Sequence, residues 1–88
     1  VNDDEPIEVV ISFNPIQGHY LKTLPMHHTQ EIVEDSEINF IIKVIVKPSY
    51  EFYSKILSYG SDATIISPKQ VIDRIVDTLK KAKNHYNI

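Results

Sequence analysis

Between Ile38 and Val46 the chain repeats with a period of two. Ile38, Phe40, Ile42, Val44 and Val46 fall on one side, and Asn39, Lys43 and the following Lys47 on the other. Successive side chains of a strand point to opposite faces, so this segment belongs in a sheet with one face buried. The second face is not wholly polar, because Ile41 and Ile45 share it with Lys43. An upstream segment has the same character: Ile7, Val9, Ile11 and Phe13 alternate with Glu8 and Ser12, and Val10 interrupts the polar side. Two such strands call for helices on one face and leave the other, with Ile41, Ile45, Val10 and Val33, to be covered by the last helix, a sister domain or a second copy.

The segments between these strands carry their own signals. Asn14-Pro15 suits the cap and first position of a short helix over about Pro15–Lys22, with Ile16, Tyr20 and Leu24 expected to face inward and Gly18 weakening it. Gln30–Glu34 reads as a second strand, joined to the third through a turn near Asp35–Glu37. Ser49 is placed to cap a helix carrying Phe52, Tyr53, Ile56 and Leu57, and Gly60 sits where a left-handed residue ends it. Ala63–Ile66 is a short fourth strand. Ser67-Pro68-Lys69-Gln70 has the form of a capping box, with Ile66 and Val71 as its hydrophobic staple. A last helix then runs to about Asn84, with Val71, Ile72, Ile75, Val76 and Leu79 as its apolar stripe. The order βαββαβ followed by a helix predicts an α+β, ferredoxin-like antiparallel sheet with an additional C-terminal helix. Residues 1–6 read as a linker and residues 7–88 as one domain.

Composition narrows the class. The 88 residues are 42% hydrophobic and 24% charged, ordinary for a small globular domain. No apolar run approaches the roughly 20 residues of a spanning helix, which points away from a membrane partner. The opening VNDDEP has no signal-peptide pattern, and its lack of Met suggests a fragment or a processed chain. Without cysteine there is no disulfide, thiolate metal site or thiol nucleophile. A net charge of −3 argues against direct nucleic-acid binding. The charge is uneven: Asp3, Asp4, Glu5 and Glu8 make the start acidic. Lys80, Lys81 and Lys83 make the end basic, as the dipole of a helix C-terminus favours.

Few residues suggest chemistry. His27 and His28, with His19 earlier, form the one cluster of ligand-type side chains. Adjacent histidines on a strand point to opposite faces, which disfavours a metal. His27 is better placed to join the loop backbone to Thr29 or Gln30 through its two ring nitrogens. Tyr50, Phe52, Tyr53 and Tyr59 gather around the second helix, where packing or a partner contact outweighs base stacking. Arg74 is read as a surface residue pairing with Asp73 or Asp77. An acylphosphatase-like loop after strand one would need an arginine, and Asn14–Gly18 has none. No catalytic constellation and no cofactor motif emerges.

Several landmarks resemble the C-terminal extension (WCX) domain of WYL-domain-containing bacterial transcriptional regulators. Members often show an aromatic or aliphatic residue, His, any residue, Ser and Gln before the second strand; here the run is Met26-His27-His28-Thr29-Gln30, with Thr keeping the hydroxyl and Met in the first place. The pattern Leu-x-x-Gly-x-x-Ala/Val-x-Val/Ile-Leu/Ile-x-Pro is similar to Leu57–Pro68, and a closing helix ending in Tyr fits Tyr86. The resemblance spans about Ile7 to Tyr86. It implies a non-catalytic domain of a cytoplasmic regulator, C-terminal to a winged helix-turn-helix and a WYL domain. Such a domain supports homodimer assembly and relays effector sensing, and reaches DNA only through the full-length protein. His27, Thr29, Gln30, Ile41, Ile45 and Tyr59 are the contact candidates. A small-molecule-binding domain resembling the ACT type shares the same layout and is the alternative.

Overall fold

The computed structural model describes residues 5–86; Asp3 and Asp4, in the expected linker, lie outside them. The elements are β1 (Ile7–Phe13), α1 (Pro15–Thr23), β2 (Glu31–Asp35), β3 (Phe40–Val46), α2 (Tyr50–Ser58), a 3-10 turn (Gly60–Asp62), β4 (Ala63–Ser67) and α3 (Lys69–Asn84). Among the described residues these form a four-stranded sheet in the order β2-β3-β1-β4, with every neighbouring pair antiparallel. This is the α+β, ferredoxin-like arrangement that the alternation predicts, with the extra helix at its end.

The register explains the core. Val9 pairs with Val44, Ile11 with Ile42 and Phe13 with Phe40; paired residues share a face, so these six form one apolar sheet surface. All are at most 2% exposed. Leu21 of α1, Phe52 and Ile56 of α2, Ile65 of β4 and Val71 of α3 join the same cluster. All three helices therefore pack on one side of the sheet, and α3 is not the cover of the opposite face.

On that opposite face β3 presents Ile41, Lys43 and Ile45. Ile41 lies between Ser12 and Glu34, Lys43 between Val10 and Glu31, and Ile45 opposite Glu8. Lys43 reaches Glu31 at 3.6 Å and Glu8 at 4.0 Å. The face is thus a mixed surface, its apolar residues interrupted by a small charged network. Val33 sits at an irregularity in the β2–β3 pairing, which takes it out of the regular alternation.

Four local expectations are corrected. Ile16, Tyr20 and Leu24 are 75%, 60% and 77% exposed, so they face outward, and α1 buries Gly18 and Leu21 instead. A Cβ on Gly18 would lie 2.4 Å from Cγ of Phe40. The glycine is needed for close approach to β3, and that contact fixes which side of α1 faces in. Ile38 leaves the strand because Ser36 organises the hairpin loop: its Oγ accepts from the backbone N–H groups of Ile38 and Asn39. The capping box does not form. Ser67 stays in β4 opposite Val10, and Pro68, still extended, precedes α3 without a side-chain cap. Ile66 is correspondingly half-exposed while Val71 is fully buried, so they are not a staple. Finally, Arg74 pairs with neither aspartate. Its guanidinium carbon lies 4.9 Å from the centre of the Tyr53 ring, while Lys69 and Lys81 take Asp73 and Asp77 at i,i+4 spacing.

The other caps are as the residue types dictate. Asn14 accepts from the Gln17 backbone N–H at 2.8 Å and donates through Nδ2 to Asp62. Ser49 accepts from Phe52 N–H, and Gly60 has a φ of 61° just beyond the end of α2.

Candidate functional site

Residues Met26–Gln30 connect α1 to β2, and their polar groups fasten this connection to the sheet. Gln30 lies at its centre. Its Nε2 donates to the Leu21 carbonyl and its Oε1 accepts from Met26 N–H, both at 3.0 Å. Met26 is thereby held in the core, 8% exposed. The Gln30 side chain is committed to this bracket and joins the end of α1 to the start of β2.

Thr29 extends the β2–β3 pairing with a side chain. Its Oγ1 accepts from the Ile45 N–H at 2.8 Å and lies 3.2 Å from the Ile45 carbonyl oxygen. It also lies 2.7 Å from Nδ1 of His27, and the Thr29 backbone N–H donates to the same nitrogen at 3.2 Å. An Nδ1 that accepts from a backbone N–H is unprotonated, so neutral His27 carries its proton on Nε2. The expectation that His27 joins the loop to Thr29 matches this geometry.

His27 and His28 do not diverge as strand neighbours would. They precede β2, in a bend, and their rings lie 4.3 Å apart between centres at 31°. Burial, then the charge of His28, then that of Lys55 lower the His27 pKa below its ordinary value of 6.5. Each cause disfavours the imidazolium. Among the described residues no three His, Asp or Glu side chains are grouped to hold a metal ion.

Both histidines line a cavity of about 580 Å³ at this end of the sheet, together with Thr29, Ile45, Lys47, Ser49, Glu51 and Lys55. Met26, Val46 and Phe52 give it an apolar wall, and Pro6 borders it. His27, Thr29 and Ile45 are thus brought together, with Gln30 behind them. Ile41 is further along the open face. Tyr59 is on the other side of the sheet, edge-on to Phe13 with ring centres 5.1 Å apart, and burial raises its phenol pKa.

Lys47, Ser49, Glu51 and Lys55 were not legible as site residues. Lys47 reads as the polar phase of a strand, Ser49 as a cap, and Glu51 and Lys55 as a helix's wet face. The pairing of β2 with β3, extended by Thr29 to Ile45, carries them to the histidines, and no local spacing encodes that contact.

A second cavity, of about 600 Å³, lies between α2, β4 and α3, lined by Ile56, Leu57, Ile65, Ile72, Val76 and Leu79 among others. It is the incompletely filled flank of the α3 stripe. No helix among the described residues is long and apolar enough to cross a membrane.

No curated protein matches the chain. The profile of the WCX domain matches residues 5–83, which takes in every strand of the sheet, α1, α2, nearly all of α3 and the His27–Gln30 segment. The chain therefore belongs to the WCX domain family, a regulatory C-terminal domain of WYL-type regulators.

Proposed function

We propose that this domain is the non-catalytic assembly and signal-relay module of a WYL-type transcriptional regulator. It supports dimerisation and couples effector sensing in the adjacent WYL domain to DNA binding by the helix-turn-helix domain. One observation carries the reading. All three helices cover the same face of the sheet, leaving Val10, Ile41 and Ile45 half-exposed on the other. A sheet open on one side is a surface on which a second domain can pack with modest rearrangement. The Lys43–Glu8–Glu31 network within it supplies polar specificity to such a contact more than affinity.

The domain transmits by contact, since its role needs no reacting group. His27, Thr29 and Ile45 connect the segment before β2 to the end of β3, so a partner pressing on either one displaces the other.

The test is deletion of this domain from the full-length regulator, followed by sedimentation and operator-binding measurements with and without effector. Loss of the dimer and of the effector response is expected. A deletion variant that keeps its oligomeric state, fold, operator affinity and effector response overturns the proposal. An Ile41→Glu, Ile45→Glu double variant refines it: both sites are partly exposed, so the domain folds while the contact is lost.

A further inference from the structure

We propose that the cavity lined by His27, His28, Lys47 and Lys55 binds an anion, a phosphate monoester or a carboxylate carried on an apolar body. The inference adds a ligand to the domain and stands apart from the assembly role.

Charge is the first argument. The chain is acidic overall, at −3, yet two lysines against Glu51 leave this lining one net positive charge, and protonating both imidazoles makes it three. The positive groups come from three separate elements: the segment before β2, the end of β3 and helix α2. Neither Lys47 nor Lys55 forms an ion pair within the described residues. Like charges brought together from distant parts of a chain repel, and a bound anion relieves that repulsion.

Hydrogen-bonding geometry is the second. Thr29 occupies Nδ1 of His27, which fixes the ring and leaves Nε2–H as the donor on its far side. The Ser49 oxygen accepts from Phe52 N–H, so its own hydroxyl proton remains to be given. Shape agrees: a volume of about 580 Å³ with Met26, Val46 and Phe52 in its wall accommodates a ring or short aliphatic body beside the charged head. His27 responds to the charges of His28 and Lys55, so an anion that offsets them favours protonation of His27, and binding strengthens as pH falls.

The experiment follows the histidine ring and lysine side-chain resonances of the full chain by NMR while phenyl phosphate or phenylacetate is added. Saturable shifts at His27, His28, Lys47 and Lys55 are expected, and the stronger binder identifies the head group. Inorganic phosphate should bind more weakly than phenyl phosphate, because it lacks the apolar body. Lys47→Ala with Lys55→Ala, both exposed positions, should weaken binding about three- to tenfold, whereas Lys80→Ala with Lys81→Ala on α3 should not. Phenylacetate stays ionised throughout, so its tighter binding at about pH 6 than at about pH 8 reports protonation of the protein and not of the ligand. Shifts that rise linearly without saturation, or that are equal in the two lysine variants, overturn the proposal.

Discussion

Helices α1 and α3 pack on the same side of one sheet and do so by opposite means. Helix α3 follows the amphipathic rule: Val71 is fully buried, Ile72 and Ile75 pack against the core, and the stripe loosens toward Val76 and Leu79, 41% and 53% exposed. Helix α1 sets Ile16 and Tyr20 outward, as its cap residue Leu24 also is, and meets the sheet through a glycine and one leucine. A stripe of large side chains holds a helix at a distance from the sheet. A glycine removes that distance and lets the backbone settle on the ring of Phe40. Hydrophobic periodicity finds the first kind of contact and is misled by the second.

Phe40, where the close approach is made, is the residue on which the packing of α1 depends most. Phe40→Ala should destabilise by about 3–5 kcal/mol, since a fully buried ring is lost and the cavity cannot fill. In a domain of this size that lowers Tm by well over 10 °C or prevents folding, as thermal unfolding followed by circular dichroism would show.

Gly18→Ala comes next. The added methyl overlaps Phe40, and overpacking of this kind costs about 1–3 kcal/mol although alanine is the better helix former. A combined Gly18→Ala, Phe40→Ala variant should be more stable than the sum of the single changes predicts, because removing Cγ and the ring relieves the closest part of the overlap. Strict additivity would mean that the two sites are not in contact. A neutral Gly18→Ala would show that α1 can ride outward, as α3 does.

Ile16→Ser and Tyr20→Ser probe the outward side of α1 and should each change the domain's own stability by no more than about 0.5 kcal/mol, because both residues are largely exposed. A large loss in either would restore the inward assignment made from spacing alone.

These cases show what the sequence makes legible. Strands β1 and β3 and the stripe of α3 follow from periods of two and 3.6, and the left-handed Gly60 and the caps Asn14 and Ser49 from residue chemistry. The false capping box shows the limit of local pattern: Ser67 has the right neighbours for a cap, but pairing with Val10 holds it in the sheet. Gly18 reads as a weak helix position because the ring it must clear is 22 residues away in sequence. The candidate site divides in the same way. Its His27–Gln30 side is a compact run, while its lysine side depends on the tertiary contact between Thr29 and Ile45.

The smallest effect expected is the pH dependence of stability arising from His27, and it applies the same distinction to the site. Its folded-state pKa lies below the ordinary 6.5, first through burial, then through His28 and Lys55. The unfolded chain therefore takes up the proton at a higher pH than the folded one. The full stability is present above about pH 6.5, declines as pH falls from there toward the folded-state value, and levels off below it. His27→Gln should flatten that part of the stability–pH curve. His28→Gln should reduce the slope and Lys55→Gln reduce it less, following the order of their influence. If Lys55→Gln leaves the slope unchanged while His28→Gln reduces it, the imidazole senses only its sequence neighbour, and the tertiary contribution from α2 is absent. If both reduce it, a charge brought by the fold acts on a residue whose nearest influence lies beside it in the chain.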